Sequence, residues 1–245
     1  MSRDRRKLLI ALPAAFTLTS VLFGVLAILE AAHAPYQAAL AIVFAALCDG
    51  LDGRVARLTK TESSFGVQLD SLADAVSFGV APALLVYHFA LSELVVGPID
   101  LGLVIIFCYI ACGLIRLARF NVLAQEPNTS HNFLGVPIPI AAVLLAGIVM
   151  AAHAEGGGPL TRAAIIAPIT LVLAVLMVSN IQFRSFKRKA PDVRRTVAAT
   201  AAVTIGLGIL MTKTSVGLML VTVTGAYIVF GLAGALARFS ARLRH

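Results

Sequence analysis

The sequence predicts an all-α membrane protein, a polytopic bundle of about eight transmembrane helices. Of its 245 residues, 59% are hydrophobic and only 13% are charged, and the mean hydropathy is +0.93. Soluble globular domains carry about 25% charged residues, so this balance indicates a protein whose surface faces lipid. The apolar residues also form runs close to the ~20 residues with which an α-helix crosses a bilayer. We therefore predict one integral membrane domain over residues 1–245.

The predicted spans follow from eight apolar runs that are separated by short polar segments. In chain order the runs are Leu8–Leu29, Ala34–Cys48, Val67–Leu91, Ile99–Phe120, Val136–Ala152, Ala163–Ile181, Val197–Met211 and Val216–Leu236. The second and the seventh run are the shortest, so the count of eight depends most on them. Pro137 and Pro139 mark the start of the fifth span, because the first N–H groups of a helix have no partner within it and proline is tolerated there.

Basic residues orient the spans, because Lys and Arg near the ends of transmembrane helices stay preferentially on the cytoplasmic side. With eight spans, both termini lie on the same side. If that side is cytoplasmic, it receives 18 of the 20 basic residues, and only Arg162 and Lys213 lie outside. The 18 are Arg3, Arg5, Arg6, Lys7, Arg54, Arg57, Lys60, Arg116, Arg119, Arg184, Lys187, Arg188, Lys189, Arg194, Arg195, Arg238, Arg242 and Arg244. We therefore predict a multi-pass protein of the cytoplasmic membrane with both termini inside.

The net charge of +8 does not indicate a protein that binds nucleic acid. The basic residues lie beside the ends of apolar runs, and we predict no soluble domain that could present them to a nucleic acid. Anionic lipid headgroups are the expected partners, because the cytoplasmic leaflet attracts basic segments that flank transmembrane helices.

Four aspartates interrupt the apolar sequence between the second and third runs. They lie in the segment DGLDGRVARLTKTESSFGVQLDSLAD, which extends from Asp49 to Asp74. Asp49 and Asp52 are three residues apart and Asp70 and Asp74 are four apart, so on helices each pair shares one face. We expect the first pair to end the second span and the other pair to begin the third, with a loop between them. This arrangement brings all four carboxylates together at the cytoplasmic side.

Placing carboxylates at membrane depth costs free energy, so such residues are first interpreted as part of a functional site. Four neighbouring carboxylates repel one another unless cations compensate their charge. Hard divalent cations prefer oxygen ligands, so Mg²⁺ is the first candidate, and two ions could share the four side chains. The alternatives are a proton or cation pathway, as in a transporter, and aspartates that are merely solvated in an interfacial loop.

Two glycines and an arginine accompany the aspartates at helical spacing. Gly53 follows Asp49 by four residues, Arg57 follows Gly53 by four, and Gly66 precedes Asp70 by four. A glycine lowers helix propensity but lets a bulky ligand approach the backbone, and a guanidinium suits phosphate oxygens. A cation transporter has no need of these residues. In a membrane protein they indicate a phosphorylated substrate with lipid tails.

The same segment resembles the signature of the CDP-alcohol phosphatidyltransferases. That signature reads Asp-x2-Asp-Gly-x2-Ala-Arg-x8-Gly-x3-Asp-x3-Asp, and its eight specified positions are filled by Asp49, Asp52, Gly53, Ala56, Arg57, Gly66, Asp70 and Asp74. Three further segments are similar to the branch of bacterial and archaeal membrane-embedded phosphatidylserine synthases, namely RLARFN at 116–121, FLGVPIP at 133–139 and SNIQFRSFK at 179–187. The resemblance covers about residues 12–187, and the last two predicted spans carry no motif.

The resemblance implies a fold and a reaction. The fold is a catalytic core of six helices at about residues 8–187, with two additional helices at about residues 197–239. The reaction is transfer of the phosphatidyl group of CDP-diacylglycerol to L-serine with release of CMP, at the cytoplasmic face. A homodimer is also implied. Within the class, glycerol 3-phosphate, inositol phosphate and choline stay open as alternative acceptors.

The resemblance also implies roles for individual residues. Two divalent ions, Mg²⁺ or Mn²⁺ with Ca²⁺ as another occupant, are held by Asp49, Asp52, Asp70 and Asp74. Asp74 is in addition the catalytic base that takes the proton of the acceptor hydroxyl. The CDP-binding residues are Gly53, Ala56, Arg57 and Gly66.

Arg116, Arg119 and Asn121 end the fourth span and are the candidates for contacts with substrate anions. The two arginines have two interpretations, as anchors that extend to lipid headgroups or as ligands of the β-phosphate or of the carboxylate of serine. Of the two, we prefer Arg119. In the first span, Thr17 agrees with the family pattern, whereas Ala14 and Ser20 stand where relatives commonly have asparagine, which puts a role of those amides in doubt.

Overall fold

The computed structural model describes residues 3–59, 63–124, 133–155, 158–183 and 216–242. Its helices are α1 (Arg3–Glu30), α2 (Pro35–Thr59), α3 (Ser64–Asp74), α4 (Ala81–Val86), α5 (Leu101–Ala124), α6 (Ile138–Glu155), α7 (Pro159–Val178) and α8 (Val216–Arg242). Four two-residue strands complete it: β1 (Val95–Val96), β2 (Ile99–Asp100), β3 (Phe133–Leu134) and β4 (Gln182–Phe183).

The prediction of an all-helical membrane bundle is confirmed. Among the described residues, four helical stretches are long and apolar enough to cross a membrane, namely Ser64–Leu91, Leu101–Leu123, Leu160–Val178 and Val216–Gly234. Two shorter apolar helices, Ala14–Glu30 and Ile138–His153, accompany them. The predicted seventh span, Val197–Met211, and the basic residues at 184–195 lie outside the described residues, so the count of eight stays a prediction.

The helices pack around α6, which contacts α2, α7 and α8, while α1 packs along α2. Large apolar side chains are exposed on the outer surface of the bundle, for example Phe107, Val175 and Phe230, which are 68%, 68% and 79% exposed. Such a surface is unfavourable in water and favourable in a bilayer, so these side chains are the lipid-facing ones.

The expected loop between the two aspartate pairs is largely helical, which corrects the sequence-based boundaries. The helix α2 continues beyond Cys48 to Thr59, and α3 begins at Ser64. The apolar run ends where charged residues begin, but leucine, alanine and arginine favour helix whether or not lipid surrounds them. Ser63 caps the amino end of α3, because its hydroxyl accepts from the Gly66 N–H at 3.0 Å.

The helix Ser64–Leu91 contains two π-helical segments, Ala75–Val80 and Tyr87–Leu91, on either side of α4. Pro82 lies in the first turn of α4 and has no N–H to donate to the carbonyl of Phe78 four residues earlier. The hydroxyl of Tyr109 on α5 donates to that carbonyl at 3.1 Å. A neighbouring helix thus satisfies a backbone group that would otherwise be unpaired in an apolar interior.

Two small antiparallel sheets lie at opposite ends of the bundle. β1 and β2 form a hairpin just before α5. β3, just before α6, pairs with β4, which follows α7. Gly135 follows β3 with a φ of 76°, and its N–H donates to the carbonyl of Ile181 at 2.9 Å. A Cβ at Gly135 would collide with the carbonyl oxygen of Met177. The fold alone therefore requires glycine at position 135 of the FLGVPIP segment.

Small residues let α8 approach α6 closely. A Cβ at Gly217 would lie 2.8 Å from the Gly147 carbonyl oxygen, and one at Gly147 would lie 2.9 Å from the Leu220 Cβ. Close approach of this kind is a usual way for helices to pack in membranes. The start of α8 therefore lies beside the second half of α6. β4 lies near the start of α6, because it pairs with β3.

Candidate active site

Three of the four aspartates meet where α2 passes α3. Asp49 on α2 and Asp70 and Asp74 on α3 each offer a carboxylate oxygen, and these oxygens all lie within 4.8 Å of one another. All three residues are half-buried. The four-residue step between Asp70 and Asp74 places both on the face of α3 that meets α2. We call Asp49, Asp70 and Asp74 the carboxylate cluster.

The carboxylate cluster fits a hard divalent cation. One oxygen of Asp74, Oδ1, is buried and has no hydrogen-bond partner within the described part of the chain. Three like charges at this separation repel one another, and burial of an unpaired carboxylate adds a desolvation cost. A bound cation would remove both penalties, and an all-oxygen donor set suits Mg²⁺, Mn²⁺ or Ca²⁺ better than softer metals.

Asp52 lies one turn beyond Asp49 and is held differently. It is only 5% exposed, and its Oδ2 accepts a hydrogen bond of 2.8 Å from the Thr17 hydroxyl on α1. It is not one of the three carboxylates that converge within 4.8 Å, although it lies within electrostatic range of Asp70. The sequence reasoning noted Thr17 but gave it no role, and this bond shows that it ties α1 to the second aspartate.

Asn121, which we expect to contact substrate, hydrogen-bonds to α3. Asn121 Nδ2 donates to Ser71 Oγ at 2.9 Å. The Ser71 hydroxyl also lies 3.1 Å from the Val67 carbonyl oxygen, to which it can donate. Since Ser71 directly follows Asp70, the bond fixes the end of α5 against the helix that carries two of the clustered carboxylates. Ser71 is not among the site residues predicted from the sequence. Its position between Asp70 and Asp74 was the feature of the sequence that could have identified it.

The two arginines at the end of α5 have different surroundings. Arg116 is 8% exposed, lies within electrostatic range of Asp74, and its Nε has no hydrogen-bond partner among the described residues. Arg119 instead donates from Nη2 to Asn180 Oδ1 at 2.6 Å and from Nη1 to the Val178 carbonyl at 3.4 Å. The geometry therefore favours Arg116 for contact with a substrate anion, which is the reverse of the sequence-based preference.

The four residues expected to bind the nucleotide are only partly described. Gly53 is half-buried and follows Asp52 on α2, and Gly66 lies in the first turn of α3. A Cβ at Gly66 would lie 3.2 Å from the Ser63 hydroxyl, so the helix cap also favours glycine here. The side chains of Ala56 and Arg57 lie outside the described residues.

An apolar groove separate from the carboxylate cluster runs between α7 and α8. It has a volume of about 280 Å³, and α6 contributes to its lining through Leu144. The other lining residues are Pro168, Ile169, Val172, Leu173, Leu176, Gly225, Ile228 and Val229. A lining of this kind offers contacts to hydrocarbon and none to a charged nucleotide.

Residues 10–180 match the sequence model of a family described as CDP-alcohol phosphatidyltransferase. The matched region begins within α1 and extends past the end of α7. It therefore includes all four aspartates and both arginines of α5, and it leaves out α8.

Curated proteins from bacteria and archaea are similar over much of the chain. A CDP-diacylglycerol–serine O-phosphatidyltransferase of Helicobacter pylori is 40% identical over 179 residues, 72% of this chain and 73% of that protein. One of Mycobacterium tuberculosis is 39% identical over 178 residues, 71% of this chain and 60% of that protein. An archaetidylserine synthase of Methanothermobacter thermautotrophicus is 36% identical over 181 residues, 71% of this chain and 70% of that protein.

Proposed function

This chain belongs to the CDP-alcohol phosphatidyltransferase family, and on that basis we propose that it transfers the phosphatidyl group of CDP-diacylglycerol to L-serine. The products are phosphatidylserine and CMP. The serine oxygen forms a bond to the phosphorus that carries the diacylglycerol, the bond from that phosphorus to the CMP oxygen breaks, and the hydroxyl proton leaves. Serine is the acceptor because the names of the relatives share it, although they differ in the lipid.

One observation carries this proposal, the convergence of the carboxylate oxygens of Asp49, Asp70 and Asp74 within 4.8 Å of one another. Transfer from a diphosphate requires that the negative charge of the diphosphate and of the departing CMP is compensated. Divalent cations supply that compensation when they are bound, and the family depends on them. The carboxylate cluster would hold one ion, and Asp52 would take part in holding a second. Mg²⁺ and Mn²⁺ are the cations that we propose.

Asp74 is the residue we assign to proton transfer. Its Oδ1 is buried without a protein partner among the described residues, so this oxygen is available to a substrate hydroxyl. Asp74 accepts the hydroxyl proton as the new phosphorus–oxygen bond forms. Gly53 and Gly66 leave room for the nucleotide beside the carboxylates, and Ala56 and Arg57 are assigned to the same nucleotide on the family signature.

The position of the site agrees with a reaction between a lipid and a water-soluble acceptor. The carboxylate cluster lies toward the end of the bundle where α2 ends and α3 begins, and we assign this end to the cytoplasmic face from the distribution of basic residues. CDP-diacylglycerol would then arrive within the inner leaflet and serine from the cytoplasm. The six-helix core, the lipid-binding basic segments and a homodimer belong to the same proposal, on the family resemblance alone.

An acceptor panel tests the proposed function. The purified protein is incubated with CDP-diacylglycerol, Mg²⁺ or Mn²⁺, and one alcohol at a time: L-serine, glycerol 3-phosphate, inositol phosphate or choline. Release of CMP and the mass of the lipid product are measured. Of the four alcohols, we expect only L-serine to give a lipid product and release of CMP. Turnover with glycerol 3-phosphate that does not require serine would overturn the assignment of the acceptor.

A further inference from the structure

Arg162 lies near the start of α7, at the end of the bundle opposite the carboxylate cluster. The other end of α7, Val178, accepts from Arg119 in the part of α5 that is fixed against α3. A helical rise of about 1.5 Å per residue places Arg162 about 24 Å from Val178, at the outer face in the orientation assigned above. Of the 20 basic residues, only Arg162 and Lys213 are predicted there. The preference of arginine for the cytoplasmic side therefore does not account for Arg162.

The guanidinium of Arg162 is held over an aromatic ring. Its central carbon lies 4.5 Å from the centroid of the Phe89 ring, and the residue as a whole is half-buried. The face of an aromatic ring attracts a cation, so this contact orients the guanidinium without using its N–H donors. An arginine that served only as an anchor would extend its charged group into water, whereas the Nε of Arg162 is buried.

The charge of Arg162 is not balanced by a described carboxylate. Within the described ranges, its side chain donates no hydrogen bond and forms no ion pair. The buried Nε is out of reach of a ligand, but the two Nη groups carry paired N–H donors that suit the oxygens of a phosphate. An oriented cation with free donors is a binding group for an anion.

The surroundings of Arg162 indicate that this anion belongs to a lipid. Ile165, one turn further along α7, is 55% exposed on the apolar surface that faces the bilayer. The ring of His153 lies 6.5 Å from that of Phe89, and the ring of Tyr36 lies 6.1 Å from that of His153. Aromatic side chains with a polar edge are typical of the boundary between membrane and water, at the depth of the headgroups. The phosphates of phospholipids lie at the same depth.

We propose that Arg162, oriented by Phe89, binds the phosphate of an anionic phospholipid in the outer leaflet. The acyl chains of this lipid lie along the face of α7 that carries Ile165. A zwitterionic headgroup brings a cation of its own, which competes with the guanidinium for the phosphate, so the site prefers a lipid with a net negative charge. It is separate from the cytoplasmic basic segments and takes no part in the transfer chemistry.

The test uses an introduced tryptophan as a local reporter of lipid, because the chain contains no tryptophan of its own. Ile165→Trp places the reporter one turn from Arg162. Val175→Trp is the matched control, near the other end of the same helix, where the side chain is 68% exposed. Each protein is reconstituted in vesicles of phosphatidylcholine and phosphatidylglycerol, in which one of the two lipids carries brominated acyl chains that quench tryptophan fluorescence on contact. The ratio of quenching by the two brominated lipids measures the local preference for the anionic one.

We expect the Ile165→Trp protein to prefer phosphatidylglycerol about fivefold. Addition of Arg162→Gln should reduce this preference to about one and leave the ratio in the Val175→Trp protein unchanged. Phe89→Leu keeps the charge but removes the ring that orients it, so it should give an intermediate preference. It decides the question if Arg162→Gln does not fold. An excess of inorganic phosphate should leave the ratio unchanged, because the partner is a lipid.

A ratio near one in the Ile165→Trp protein would overturn the site, as would a preference that Arg162→Gln or, in its place, Phe89→Leu leaves at its full value. Loss of the preference when inorganic phosphate is added would show that Arg162 takes the soluble ion and would overturn the lipid as its partner. None of these measurements uses the transfer reaction, so their outcome is independent of the proposed function.

Discussion

At the scale of single residues, Asp74 is the residue that we propose both to bind a cation and to accept the proton of the acceptor hydroxyl. Replacing it by asparagine keeps the size of the side chain but removes its charge and its basicity. We expect Asp74→Asn to lower the rate of CMP release by roughly 10²–10⁴-fold. The measurement is the initial rate with purified protein at saturating serine and CDP-diacylglycerol.

Asp100→Asn is the matched control for that variant. Asp100 lies at the end of the bundle opposite the cluster, where it accepts from the Tyr87 hydroxyl at 2.7 Å and the Leu103 N–H at 2.9 Å. These bonds, that of Tyr87 first, hold the pKa of Asp100 below its ordinary value. Asparagine can keep both contacts, because its Oδ1 can accept from the Leu103 N–H and its Nδ2 can donate to the Tyr87 hydroxyl oxygen. The control should keep wild-type turnover. Full activity of Asp74→Asn would remove Asp74 as the base.

Gly135 combines a positive φ with a close neighbour, and the two effects can be separated. Gly135→Ala should lower the free energy of unfolding by about 1–3 kcal/mol, since alanine is strained at this φ and its Cβ meets the Met177 carbonyl. Gly97 has a similar φ of 61° but no atom within 4 Å of an added Cβ, so Gly97→Ala should cost less. Thermal unfolding in detergent measures both. Equal losses would show that the contact with Met177 contributes nothing.

At the scale of elements, the helix Ser64–Leu91 depends on α5 for one of its backbone bonds. Tyr109→Phe removes the hydroxyl that donates to the Phe78 carbonyl. We expect a loss of about 1–3 kcal/mol, because a buried acceptor is left without a partner. Thermal unfolding of Tyr109→Phe and of the exposed-tyrosine variant Tyr36→Phe provides the comparison. Two variants of equal stability would mean that the Phe78 carbonyl finds another donor.

The packing of α8 on α6 depends on Gly217. A Cβ there would collide with backbone atoms of α6, whereas one at Gly225, on the same helix, meets no atom within 4 Å. Gly217→Ala should therefore lower the midpoint of thermal unfolding, and Gly225→Ala should leave it unchanged or raise it slightly, because alanine favours helix. An unchanged unfolding midpoint in Gly217→Ala would contradict the close approach.

At the scale of the whole molecule, the carboxylate cluster joins α2 to α3, so a cation should stabilise the fold. Binding to the native state at a concentration 100-fold above Kd adds about 2.7 kcal/mol. We expect Mg²⁺ or Mn²⁺ to raise the unfolding temperature in detergent and a chelator to reverse the change. Carboxylates bind metal when deprotonated, so the increase should shrink as the pH falls. Asp70→Asn should abolish it, and an increase that survives in this variant would place the cation elsewhere.

The sequence predicted the features that are local in the chain. Hydropathy predicted the helical bundle, and the spacing of Asp70 and Asp74 predicted a shared face. It could not predict the partners that depend on how helices rotate against one another. The bond from Thr17 to Asp52 joins positions 35 residues apart. Arg116 and Arg119 have different surroundings because of how α5 is rotated about its own axis. The periodicity of the sequence does not determine that rotation.

The two π-helical segments between Asp74 and the hairpin of β1 and β2 bear on how this protein can tolerate insertions and deletions. A π-helical turn holds about one residue more than an α-helical turn, and each residue of an α-helix advances the phase by about 100°. Loss of one residue from such a segment would convert the π-helical turn to an α-helical turn, and the helical segments on either side would keep their rotation relative to each other. The same loss within an α-helical segment would rotate one side by about 100°. A change of one residue at these turns would therefore leave Asp70 and Asp74 facing α2 and the lipid-exposed side chains facing outward.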